Sequence, residues 1–259
     1  MVPAAFREFL PFVSTSALKV IHKERVLAIA LKSAAQTLND SRYLEAIDLI
    51  RKQVEASALN LPVRVAVDPK DGIELAAHLQ TATPENRKVI GETILQLYFL
   101  MVEYPVPFFL DLRPQNFRWE PQSNTLIWTP SRLWFERSDG FRERVRNLYQ
   151  GFFRWDSEKT RAGLELYAWE ALVSDGYFSR VNALLNQHFG DANSKEVEFS
   201  ISHFKSTFTL LFEETIRNRS RLHPELTFIG TALAGLYVTL EKIGTPLNVA
   251  KSFHSVARL

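Results

Sequence analysis

No cysteine occurs in the chain, which excludes disulfides and thiolate metal sites and leaves the redox compartment open. Glycine is missing where a nucleotide-binding protein would need it. The first is Gly72, so nothing near the N-terminus forms a Gly-rich turn that would let backbone amides approach phosphates. No apolar run reaches the ~18 residues of a membrane span. The closest, LTFIGTALAGLYVTL, has 15 residues between Pro224–Glu225 and Glu241–Lys242 and reads as a buried helix. An excess of one charge is absent too: 31 basic and 29 acidic residues leave +2, so no bulk field draws in nucleic acid. The six histidines show no metal-ligand spacing, and neither a P-loop nor a GxSxG nucleophile turn occurs. Repeats, low-complexity tracts and Gly/Ser linkers are also lacking.

What remains is an ordinary globular composition, 46% hydrophobic and 23% charged over 259 residues, enough to bury one large core or two lobes. The first 24 residues are poor in acids, with Arg7, Lys19 and Lys23 spaced through apolar and hydroxyl residues. They read equally as an organelle-import leader, giving a mitochondrial or other organellar protein, or as a plain N-terminal helix of a cytoplasmic one.

Pattern changes divide the chain near residue 75. Before it, ERVLAIALKSA (Glu24 to Ala34) carries a short apolar run expected as a strand. A helix follows over DSRYLEAIDLIRKQVEA, capped by Asp40 or Ser41, and LPVRVAV (Leu61 to Val67) alternates as a strand before the DPKDG turn. After it the chain is largely helical. Thr83 and Pro84 open a long amphipathic helix, NTLIW (Asn124 to Trp128) reads as a strand after the EPQSN turn, and further helices are expected near 139–154, 158–173, 175–188, 203–218 and 224–243. The expected fold is α+β, with a reduced N-terminal α/β lobe over 1–75 and a large, mostly helical lobe over 76–259.

The chemistry concentrates at 108–130. In FFLDLRPQNFRW, Asp111, Pro114 and Asn116 have the types and spacing of a phosphotransferase catalytic loop, placed between a long helix and a hairpin. Such a loop needs an acid facing the acceptor hydroxyl or water and, five residues on, an amide that holds magnesium. A second acid should follow the hairpin to bind the metal bridging the phosphates. There the chain reads LIWTPSRLW, with Trp128 at the acid's position, and the next aspartate after Asp111 is Asp139. Lys32, at the end of LAIALK, and Glu45, on the following helix, are the candidates for a phosphate-neutralising lysine and its partner. Asp111 and Asn116 also fit a plain backbone-bonding role, and Lys32 and Glu45 fit a solvated surface.

The loop, together with HPELTFIGTALAGLYVTLEKIGTPLNV (His223 to Val249), resembles the UbiB (AarF) family of atypical, protein-kinase-like proteins. FFLDLRPQNFRW is similar to that family's D-P-H-P-G-N-F loop, with Leu112, Arg113 and Gln115 in place of its Pro, His and Gly. The resemblance covers about residues 75–250 and implies a kinase-like fold, an organellar or bacterial setting, and support of isoprenoid-quinone metabolism. By the same resemblance Asp111 is the catalytic-loop acid, Asn116 the metal and cofactor ligand, and Lys32 with Glu45 the nucleotide-side pair. The family's K-x-G-Q signature and Ala-rich nucleotide loop are missing, and its metal acid is Trp128.

Two function classes follow. One is a pseudokinase with a vestigial Asp111, needing no cofactor, that serves as a binding or structural subunit of an organellar or membrane-associated protein complex. The other is a divergent ATP- and magnesium-dependent kinase or ATPase that recruits Glu120 or Glu136 for metal. The basic-aromatic stretch FERSDGFRERVRNLYQGFFRWD interleaves acids with its arginines and reads as a solvated helix face, so nucleic acid is not an expected partner. Trp119, Trp128, Trp134 and Trp155 are expected in core packing or as a partner anchor.

Overall fold

A computed structural model of the chain describes residues 15–69, 71–190 and 195–257. They form an α+β fold dominated by eleven α-helices, with three small sheets. Residues 1–14 of the expected leader lie outside the described residues.

α1 (Thr15–Val20) runs into α2 (Lys23–Thr37). α3 (Asp40–Glu55) returns after Asn39, whose side chain accepts from the Arg42 amide at 3.2 Å. The strand expected within Glu24–Ala34 is thus a helix. A short apolar run fits either state by period alone, and here Ile29, Ala30, Ser33 and Gln36 recur at helical spacing on the inward side.

β1 (Val63–Val65) and β2 (Ile73–Glu74) precede the long helices. Both nevertheless join the hairpin of β4 (Phe117–Glu120) and β5 (Thr125–Trp128) in one sheet, ordered β1-β5-β4-β2. β1 runs parallel to β5 with Val65 opposite Trp128, and β2 runs antiparallel to β4 with Ile73 opposite Trp119. The boundary expected at residue 75 therefore separates the two outer strands of this sheet from its inner hairpin. Leu126, Ile127 and Trp128 of β5 are wholly buried, and a strand so buried needs a neighbour along each edge.

α4 (Leu75–Thr81) leads to α5 (Pro84–Glu103), capped by Thr83 Oγ1, which accepts from the Asn86 amide at 3.2 Å. Every residue of α5 from Ile90 to Glu103 is buried. Against it lie α10 (Leu226–Ile243) and α11 (Val249–Val256). α10 ends on Gly244 in the left-handed conformation, φ 66°. By length and composition α10 could cross a membrane, but 67% of it is buried within the fold, as befits a core helix.

α6 (Asp139–Phe153) and α7 (Ser157–Leu164) form a tight pair: a Cβ on Gly163 would lie 2.4 Å from Leu148 Cα. The helix expected over 158–173 stops at Leu164. Leu166 and Tyr167 turn back to the Gly163 and Leu164 carbonyls at 3.1 and 3.0 Å, and the Trp169 amide then donates to the Arg221 carbonyl at 2.9 Å. Leaving the helix lets Leu166, Tyr167 and Ala168 enter the core. α8 (Asp175–Phe189) and α9 (Ile201–Arg217) follow, and short strands β7 (Glu196–Val197) and β8 (Leu247–Asn248) pair across them.

Candidate functional site

α5 delivers the chain to the Asp111–Asn116 loop, and Arg137 fixes the delivery. Its guanidinium donates to the carbonyls of Val102, Tyr104 and Val106 at 3.1, 2.8 and 3.2 Å and covers the Phe108 ring at 5.2 Å. These carbonyls lie at and beyond the helix C-terminus, where cations are favoured. Burial lowers the Arg137 pKa to about 10, far above neutrality, so it stays charged. β3 (Phe108–Phe109) then pairs with β6 (Trp134–Phe135), and the Leu110 amide donates to the Leu133 carbonyl at 2.8 Å.

Asp111 emerges from this clamp into a buried position, 4% exposed. Its carboxylate is already engaged. Oδ1 accepts from the Arg113 amide at 3.1 Å and from Arg113 Nε at 2.8 Å, while Oδ2 accepts from Arg113 Nη2 at 2.7 Å. The planar guanidinium matches the carboxylate as a two-pronged fork. Gln115, with its amide oxygen turned inward, accepts from Arg113 Nη2 and Nε at 3.2 and 3.0 Å. Pro114 begins a 3₁₀ turn, Pro114–Asn116, and Asn116 Nδ2 donates to the Asp111 carbonyl at 3.0 Å. The Asn116 carbonyl accepts from the Thr129 amide at 2.8 Å, tying the loop to the end of β5.

The loop also rests on α10. Thr239 Oγ1 donates to the Leu112 carbonyl at 2.6 Å, and a Cβ on Gly235 would come within 3.2 Å of the Leu112 amide nitrogen. The C-terminal helix thus meets the loop through a small-residue face, which lets the two backbones approach closely.

Trp128 is wholly buried, stacked on Phe117 and edge-on to Phe109 with centroids 6.3 and 5.7 Å away. Its indole nitrogen is buried without a hydrogen-bond partner, so packing alone holds it. Trp119 and Trp134 are buried as well, with His78 stacked on Trp119 at 4.8 Å, whereas Trp155 is 63% exposed. Of these four of the chain's five tryptophans, three are core residues. Glu120 pairs with Arg64 at 2.9 Å and accepts from Ser123, and Glu136 accepts from Gln36 at 3.1 Å. Neither acid is drawn to Asp111 by any of these bonds.

Lys32 and Glu45 are exposed on α2 and α3, and no ion pair joins them among the described residues. The strand that was to present Lys32 is a helix, so the expected lysine–glutamate pair is not assembled. The cation beside Asp111 comes instead from its own loop. Sequence spacing held that signal: a forked cation two residues after an acid can fold back on it, and Asp111-Leu112-Arg113 has that form.

The arginines of 135–156 are similarly committed. Arg142 pairs with Asp139 at 3.0 Å, Arg144 with Glu165 at 3.0 Å and Arg146 with Glu103 at 3.7 Å. Among the described residues no group of three or more His, Cys, Asp or Glu side chains gathers as metal ligands would. His188 and His223 are buried in aromatic surroundings, and burial lowers their pKa values to about 3 and 4. No family model matches the chain, and no curated protein matches it.

Proposed function

We propose that the chain is a degenerate kinase-like protein of the UbiB (AarF) type, acting as a binding or structural subunit of a protein assembly in an organelle or at a membrane. Its former catalytic loop is kept as a structural joint. The observation that carries this reading is the Asp111 carboxylate, buried and held on both oxygens by Arg113. A general base must reach a substrate proton, and a magnesium ligand must offer oxygen to a near-octahedral shell. A carboxylate committed to a guanidinium fork does neither without first losing its partner.

Further support comes from the neighbourhood. The position of the metal acid is filled by Trp128 in the core, and Glu120 and Glu136 bind elsewhere. This donor set does not fit a magnesium–nucleotide pair. The order long helix, acid-bearing loop, hairpin, helices supports the kinase-like part of the reading, as does the contact of α10 with the loop.

Calorimetry with ATP and ADP, with and without magnesium, tests the reading, using the Asp111→Ala/Asn116→Ala variant as control. No heat of binding is expected up to millimolar nucleotide. Magnesium-dependent binding that the double variant loses would overturn the proposal and favour the divergent enzyme.

A further inference from the structure

The corner between α1 and α2 is clasped to the helical part of the fold through His22. This residue precedes α2, and its side chain makes no capping bond to that helix. Its Nδ1 instead meets Arg221 Nη1 at 3.2 Å. A guanidinium only donates, so Nδ1 accepts, and the ring is neutral with its proton on Nε2. Nε2 is buried without a hydrogen-bond partner, 4.0 Å from Glu170 Oε2. Glu170 is itself paired with Arg25 Nη1 at 3.2 Å. The ring thus faces two guanidinium groups, Arg221 and Arg25, and one carboxylate, Glu170. His223 is near Arg221 in sequence, but its ring faces Trp169 and Phe141 at 4.2 and 4.9 Å. Backbone bonds follow the same seam. The Leu222 amide donates to the Val20 carbonyl, and the Trp169 amide to the Arg221 carbonyl, both at 2.9 Å. The seam holds α1 on α9, with Ala17 and Val20 buried.

We propose that His22 is an acid-sensitive clasp: a proton added at Nδ1 breaks its bond to Arg221, so that α1 detaches from α9 more readily below neutral pH. The added N–H would point at the N–H of Arg221, turning an acceptor into a second donor. A third positive charge would also enter a corner that holds one negative charge. Glu170 offsets only part of this, being 4.0 Å away, half-exposed and already paired with Arg25. Burial and then Arg221 lower the His22 pKa from the ordinary 6.5, against the opposing pull of Glu170. A ring released from the clasp titrates near 6.5, so it takes up its proton at a higher pH than the clasped ring. The clasp is therefore complete above about pH 6.5 and weakens as pH falls below it. Release uncovers the side of α9 on which α1 lies. The inference is independent of the kinase-like reading, which concerns the loop.

The test is hydrogen exchange of the full chain at pH 7.5 and pH 6, corrected for the chemical rate and read at the Leu222 amide. Amides of α5 serve as the reference for opening of the whole fold. Relative to them, the Leu222 amide is expected to exchange about threefold faster at pH 6. His22→Asn keeps an acceptor but takes up no proton. Its exchange should not change with pH, whether its clasp is closed or already open. Glu170→Gln should keep the rise or steepen it, since it removes the one group that favours the charged ring. Three results would each overturn the proposal. One is equal relative exchange at the two pH values in the wild type. Another is a rise that persists in His22→Asn. The third is loss of the rise in Glu170→Gln, which would make Glu170 the titrating group. None of these bears on the loop, which the nucleotide calorimetry addresses alone.

Discussion

The loop from Asp111 to Asn116 and the outer face of α2 handle the same problem in opposite ways. In the loop, polar groups that the fold has buried find partners a few residues away: Arg113 for the carboxylate, Asn116 for the Asp111 carbonyl, Thr239 for the Leu112 carbonyl. On α2, the apolar side chains of Leu27 and Leu31 are left in solvent, 46% and 58% exposed. The first region looks functional by its residue types and is chemically closed. The second carries no motif and is chemically open. Residue types suggest chemistry for a segment, whereas burial and bonding show which of its groups are already committed.

Substitutions can break this contrast, and the largest effect is expected inside. Trp128→Ala would empty space between Phe109 and Phe117 and cost about 3–5 kcal/mol, read as a lowered urea midpoint. A cost under about 1 kcal/mol would mean that the tryptophan is not a core residue.

Next comes Arg113→Ala, which strands a buried carboxylate and should cost about 3 kcal/mol. Adding Asp111→Asn should recover part of that loss, because the charge and its partner then go together. Additive losses in the double variant would show that the fork is not what closes the loop.

Acid pH probes the interior with a smaller step. Folded His188 and His223 protonate only near 3 and 4, whereas the unfolded rings protonate near the ordinary value of about 6.5. Between these values the unfolded chain binds more protons, so stability is full above about pH 6.5 and falls as pH drops toward 4. Each ring contributes at most about 1.4 kcal/mol per pH unit. Urea midpoints at pH 7 and pH 6 would show the decline, and equal midpoints would place both rings in contact with water. The smallest effect belongs to α2: Leu27→Ser/Leu31→Ser should shift unfolding by no more than about 0.5 kcal/mol. A loss of several times that would show the face to be covered already.

Much of the helical part was legible in the sequence for local reasons. Thr83 with Pro84 and Gly244 with Pro246 mark ends that depend on a few neighbouring residues, and α5 and α10 begin and end close to them. α2 was misread because LAIAL fits both periods, and only its packing partners decide between them. The placement of β1 and β2 was not legible, since each pairs with a strand more than 40 residues away. Asp111 and Asn116 were found by spacing. The role of Arg113 is less legible, because an arginine two residues after an acid can fold back on it or extend into solvent, and only the folded loop decides.

The order β1-β5-β4-β2 bears on any attempt to divide the molecule. Both outer strands of the sheet come from before residue 75, and both inner strands from after it. A fragment beginning at residue 76 would expose the two flanks of the hairpin at once. One flank is β5, whose Leu126-Ile127-Trp128 run would present unpaired backbone beside a wholly apolar stretch. Such an edge recruits strands from other molecules. The helical portion expressed alone should therefore precipitate or form intermolecular sheet, and coexpression with residues 1–75 should restore solubility.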